Sequence, residues 1–129
     1  MLQINSIHHI AIICSNYETS KSFYTEVLGF TLIREIYRKE RQSYKADLAV
    51  NGQYQIELFS FANPPKRLSR PEGTGLRHLA FEVDEVDKVV LLLKQKNIIA
   101  EPIRIDETTG KRFTFFSDPD GLPIELYEK

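Results

Sequence analysis

Two stretches of this 129-residue chain repeat one another, and the repeat constrains the fold more than any other feature. Ile7-His8-His9-Ile10-Ala11-Ile12 in the first half matches Leu76-Arg77-His78-Leu79-Ala80-Phe81 in the second, and Ile56-Glu57-Leu58 matches Ile124-Glu125-Leu126. His9 and Glu57 lie 48 residues apart, His78 and Glu125 47. Each half thus opens on a strand with one imidazole and closes on a strand with one carboxylate, the pattern expected of half a metal site built twice.

The elements between these landmarks repeat in order. In the first half, Ile7–Ile13 reads as a strand. Ser15 or Asn16 offers an N-cap to a helix over Tyr17–Leu28, and Gly29 sits where such a helix stops. Phe30–Tyr37, Tyr44–Val50 and Gln53–Phe61 read as strands rich in β-branched and aromatic residues, with Asn51-Gly52 as a tight hairpin turn. Residues 62–75 hold three of the six prolines and two of the six glycines and read as a linker or a mobile loop over a site. In the second half, Leu76–Val83 is a strand. Asp84 can cap a helix over Glu85–Lys96, in which Val86, Val89, Val90 and Leu93 form the apolar stripe, and Asn97 can end it. Ile99–Ile105, Arg112–Ser117 and Pro123–Tyr127 supply three more strands, the last entered through the turn Asp118-Pro119-Asp120-Gly121. The expected class is α+β with the order βαβββ twice: a first module over about residues 5–61, the linker, and a second over about 76–128. A chain of this length builds one domain with a real core and is too short for two ordinary ones.

Side chains in a strand alternate faces. His9 shares a face with Ile7, Ala11 and Ile13, and Glu57 with Gln55, Phe59 and Phe61. His78 and Glu125 hold the same positions in the second module, while the opposite faces carry aliphatic sets suited to packing under the two helices. Two such sheets placed together would bring two imidazoles and two carboxylates toward one point. That donor set suits borderline divalent metals: zinc or nickel first, cobalt or manganese also. Two carboxylates balance one divalent charge, and four ligands leave positions open for water or substrate oxygens, as a catalytic site requires. A lone strand His is usually a hydrogen-bonded structural residue and a lone strand Glu usually faces water. The doubled spacing and shared parity are what lift this set above that reading. His8 has the wrong parity for a ligand, and Cys14, the only cysteine, reads as a small packing residue.

Composition excludes several classes. With 17 basic and 18 acidic residues the formal charge is −1, which gives no reason to expect nucleic acid or an anionic membrane as partner. No apolar run approaches the roughly 18 residues of a membrane span, and no signal peptide opens the sequence. A single cysteine fits a reducing cytoplasm.

These residues resemble the vicinal oxygen chelate superfamily, and within it the glyoxalase I-like proteins. The resemblance rests on His9-x-x-Ile12, on Ser22-Phe23-Tyr24-x-x-Val27-Leu28-Gly29-Phe30, on the two Glu strands and the second His strand, and on Asp118-Pro119-Asp120-Gly121. It implies a glyoxalase/bleomycin-resistance-type fold with a cup-shaped sheet, metal ligands at His9, Glu57, His78 and Glu125, a small-molecule substrate and a symmetric homodimer. It also implies a lyase/isomerase reaction like that of lactoylglutathione lyase, in which the metal holds the vicinal oxygens of a 2-oxoaldehyde hemithioacetal, stabilises the enediolate, and a metal-bound Glu moves the proton. Glu125 is the first choice for that base and Glu57 the second. Glutathione-dependent members similar to this chain carry Arg four residues after the first His and Asn four after the first Glu, where this chain has Ile13 and Phe61. Ile13, Phe59, Phe61, Phe113 and Phe115 would line a less polar pocket, and Lys111, Arg112, Arg77 and Arg38 could hold an anionic tail. The alternatives are another metalloenzyme of the superfamily (an epimerase, a thiol transferase acting on an antibiotic, or a dioxygenase) and a non-catalytic small-molecule-binding protein.

Overall fold

The computed structural model describes residues 1–129 and divides the chain into two units, Met1–Pro65 and Lys66–Lys129. Each is a βαβββ module built on a mixed four-stranded sheet. No helix is long and apolar enough to cross a membrane.

In the first unit, β1 (Ile10–Cys14) leads into α1 (Tyr17–Ser22), then β2 (Thr31–Arg38), β3 (Ser43–Val50) and β4 (Gln53–Ser60). The sheet order is β1-β4-β3-β2, with β1 parallel to β4 and the other pairs antiparallel. Asn16 caps α1 by accepting the Thr19 N–H at 3.0 Å. The helix expected to run to Leu28 instead changes to a π-helical turn over Phe23–Val27, in which Phe23 and Tyr24 are buried. Ile12, Cys14, Ala46, Leu48, Ile56 and Leu58 fill the sheet face beneath them. Burying each of the larger aliphatics contributes about 1.5–3 kcal/mol relative to leaving it in water. Asn51 and Gly52 have φ of 48° and 80°, the doubly left-handed turn that the Asn-Gly pair predicts.

In the second unit, β5 (Leu79–Val83) precedes α2 (Val86–Gln95), followed by β6 (Arg104–Ile105), β7 (Arg112–Ser117) and β8 (Pro123–Glu128). The order β5-β8-β7-β6 and the single parallel pair, β5 with β8, repeat the first sheet. Val86, Leu93, Phe116, Ile124 and Leu126 form the core. The helix ends as Asn97 predicts, with φ of 61° and the Ile98 and Asn97 N–H groups bonded back to the Leu93 and Lys94 carbonyls. Asp118 closes the turn into β8 by accepting from the Asp120 and Leu122 N–H groups, both at 2.9 Å.

Three expectations need correction. Asp84 does not cap α2: the Glu128 carboxylate at the end of β8 accepts the Val86 N–H at 3.0 Å. The strand expected over Ile99–Ile105 shrinks to two residues, because Pro102 has no N–H to give a ladder. β1 and β5 start at Ile10 and Leu79, three residues later than expected, so both histidines stand just ahead of their strands. Of residues 62–75, expected as a linker or a mobile loop, those from Lys66 on belong to the second unit. There Arg67 Nη2 donates to the Leu76 and Arg77 carbonyls at 2.7 and 3.0 Å, and Ser69 Oγ donates to the Gly121 carbonyl at 2.8 Å.

Candidate metal centre

Each module brings its own His and Glu together. His9 Nε2 lies 3.1 Å from Glu57 Oε1, and His78 Nε2 lies 3.0 Å from Glu125 Oε2. The cause is the parallel ladder. Ala11 pairs with Glu57 and Ala80 with Glu125, so an alanine two residues past each His stands beside each carboxylate. Its small side chain leaves the imidazole room to lean over the sheet. No group of three or more His, Cys, Asp and Glu side chains stands together to hold a metal.

The spacing within each pair admits two chemistries. Two ligands at adjacent positions around zinc, each about 2.0–2.1 Å from the ion, lie roughly 2.9–3.4 Å apart, and both pairs fall in that interval. The same distance serves a charge-assisted hydrogen bond when the imidazole is protonated. The spacing within each pair therefore fits two neighbouring positions around a divalent ion.

The two carboxylates differ in their surroundings. Glu57 also accepts from Tyr54 Oη at 2.6 Å and meets Lys45 Nζ at 3.1 Å. Burial pushes its carboxyl up, but the Tyr54 hydrogen bond and the Lys45 ammonium outweigh that and hold it below the ordinary carboxylate value. Behind it lies the buried Asp47, bonded to Arg34 and Tyr54 and 3.4 Å from Lys45. Burial raises the Tyr54 hydroxyl, and the Glu57 hydrogen bond raises it further. Glu125 pairs across the ladder with Phe115, whose ring meets His78 edge-on at 5.1 Å. One pair is set among charges, the other among rings.

Alternation alone does not place Tyr54 or His8 in this site. Tyr54 has the opposite parity to Glu57, but the β3–β4 register slips at Gln55: Leu48 faces Ile56 while Ala49 faces Tyr54. That bulge turns Tyr54 onto the Glu57 side. His8 is adjacent to His9, with their Nδ1 atoms 2.8 Å apart and its ring 5.4 Å from Tyr54. The hydrogen bond between the two rings fixes the orientation of the His9 imidazole. Of the residues expected to line an apolar pocket, Ile13 is 55% exposed, Phe59 and Phe61 stack at 6.0 Å, and Phe113 meets Phe115 edge-on. Arg38 lies over Phe59 and Phe61, whereas Arg112 is paired with Asp87.

The model of the glyoxalase/bleomycin resistance protein/dioxygenase superfamily matches residues 6–126. The chain is 64% identical to YwkD of Bacillus subtilis over 98% of each chain, and 60% identical to YaeR of Escherichia coli over the full length of both. It superposes on the crystal structure of a glyoxalase family protein from Enterococcus faecalis with a TM-score of 0.89 at 49% identity, covering 95% of this chain and 97% of that one. A fainter likeness, 26–28% identity, extends to a 2-epi-5-epi-valiolone epimerase of Actinomyces sp, a metallothiol transferase of Staphylococcus epidermidis and a lactoylglutathione lyase of Arabidopsis thaliana, covering 78%, 83% and 43% of those chains.

Proposed function

The chain belongs to the glyoxalase/bleomycin resistance protein/dioxygenase superfamily, and from that premise we propose that it is a cytoplasmic, metal-dependent isomerase of glyoxalase I type acting on a 2-oxoaldehyde hemithioacetal. The observation that carries the reading is the duplicated His–Glu pair, held at ligand spacing in the same register of both modules. His9, Glu57, His78 and Glu125 hold one divalent ion per site, zinc or nickel first and cobalt or manganese also, within one working domain. Either one chain supplies all four ligands, or two copies supply two each in a homodimer. Light scattering at micromolar concentration should give twice the 15.0 kDa of the chain; a mass near that of one chain rejects the dimer.

When bound, the ion supplies a Lewis acid for two neighbouring substrate oxygens. The residues do the rest. Glu125 lies against Phe115 and His78 and takes the proton from one carbon and returns it to the next. Glu57, tied to Lys45 and Tyr54, is the more constrained carboxylate and serves as a fixed ligand. The apolar Ile13 and Phe61 supply no polar grip for glutathione, so another thiol is the better partner.

Elemental analysis of chelator-free protein tests the site. About one divalent metal per chain supports it; near-zero metal, or content unchanged in the His78→Ala Glu125→Ala double variant, rejects it. Glu125→Gln keeps a ligating oxygen without the basicity, and should retain metal while losing roughly two to four decades of turnover. Full turnover in that variant moves the base to Glu57. A second reading, an epimerase or thiol transferase, is favoured by the missing glutathione grip at Ile13 and Phe61. It takes over if metal-replete protein isomerises no hemithioacetal with any thiol. The two-His, two-Glu set leans against a dioxygenase, whose usual pattern is two His and one carboxylate.

A further inference from the structure

Arg38 of the first module has no carboxylate partner. Arg34 and Lys45 are paired with Asp47 and Glu57, and Lys21 with Glu35. Arg38, the last residue of β2, instead lies over two rings, its guanidinium carbon 4.8 Å from the centre of Phe59 and 5.8 Å from that of Phe61. Its Nη2 donates to the neutral Ser43 hydroxyl at 2.9 Å, and its Nε is shielded from solvent with no hydrogen-bond partner. A guanidinium laid on aromatic faces has lost water from those faces, while its in-plane donors keep their geometry for an oxyanion. Buried donors without partners are rare enough to call for a reason.

The second module contains the same contact in completed form. Arg104 lies 4.8 Å over Phe113 and 5.6 Å over Phe115. There the Nε–Nη2 edge grips Glu101 Oε1 at 2.9 and 2.7 Å. In Arg38 the corresponding edge meets a hydroxyl at Nη2 and nothing at Nε. An arginine over two phenylalanines is thus closed by the chain's own carboxylate in one module and left for another in the other.

The position fits a ligand of the Glu57 face. Arg38 pairs with Ser43, Arg34 with Asp47, Asp47 with Glu57 and Lys45 with Phe59, so these side chains share the sheet face that carries Glu57. Phe59, under the guanidinium, is two residues along β4 from Glu57, roughly 7 Å. We propose that Arg38, with Phe59, Phe61 and Ser43, forms a subsite for a carboxylate carried by the molecule that the His9–Glu57 face receives. The proposal rests on that face being the substrate face and adds the chemical class of the substrate's tail.

The test is a titration of full-length protein with benzoate and with its neutral analogue benzamide, following the arginine Nε–Hε resonances by NMR. The Arg38 resonance should shift saturably with benzoate and not with benzamide. Arg38→Met, which keeps an apolar chain over the rings, should weaken benzoate binding about tenfold or more, the order expected for one charge-assisted contact. Glu101→Gln should make the Arg104 resonance respond as well. An Arg38 resonance unmoved up to tens of millimolar benzoate, an equal response to benzamide, or unchanged affinity in Arg38→Met overturns the subsite. Variants at His78 and Glu125 that abolish metal or turnover leave this titration unaffected, so the two proposals fail separately.

Discussion

Glu57 and Glu125 occupy one position in a repeated fold, yet their neighbours differ in kind. The buried Asp47 behind Glu57 makes this testable. Burial works against its charge, but Arg34, Lys45 and Tyr54 together hold its carboxyl below the ordinary value of 3.8. A carboxyl depressed in the folded state adds stability that is whole above the unfolded value and is lost as pH falls through the folded one. Asp47→Asn should therefore lower unfolding free energy at neutral pH by about 1–3 kcal/mol, the order for a buried acceptor of charged donors. The difference from wild type should shrink below pH 3.8. Denaturation at neutral pH and in acid checks it; a difference that persists undiminished in acid removes the electrostatic account. At this scale repeat and parity singled out His9 with Glu57 and His78 with Glu125, and the structure sets each His beside the Glu of its own module. The sequence did not show Tyr54 or Asp47. The first is hidden by a bulge that breaks alternation, and the second becomes a neighbour only through strand register.

At the scale of elements, local chemistry was legible and long-range chemistry was not. Asn16, Asn51-Gly52, Asn97 and Asp118 act within a few residues of themselves, and the structure places each as its type predicts. The start of α2 is different, since its cap comes from Glu128, 42 residues away. No window around Asp84 contains that fact. Glu128→Gln keeps an acceptor but removes the charge that favours a helix N-terminus, and should cost less than about 1 kcal/mol. Glu128→Ala removes the cap and should cost about 1 kcal/mol. Thermal denaturation of both should rank them in that order. Equal stability of all three proteins would remove the capping role from Glu128. The shortened β6 has a similar lesson. A strand was expected over Ile99–Ile105, but Pro102 interrupts the ladder, and Glu101 reaches it only by single bonds to Phe115 and Thr114.

For the molecule as a whole, the duplication was the most legible property, because it is written in spacing rather than in any one residue. It also decides the order in which the chain can become itself. In each module the strands β2 to β4, or β6 to β8, join neighbours through short connections, whereas β1 and β5 must wait for partners more than 40 residues downstream. Closing such loops costs entropy before any contact offsets it, so these two ladders are the slow and easily opened ones. His9 and His78 stand at the free mouths of these same ladders. An ion held by His and Glu would then act as a clasp on the seam that local sequence secures least. Amide hydrogen exchange should show it: adding zinc should slow exchange in Ile10–Cys14 and Leu79–Val83 more than in the hairpins. Uniform slowing, or none, would mean that the ion does not fasten the seam. If the ion binds as proposed, the proposed chemistry and the last act of folding share the same four side chains, and a cell short of metal would hold this protein in a looser, more perishable form.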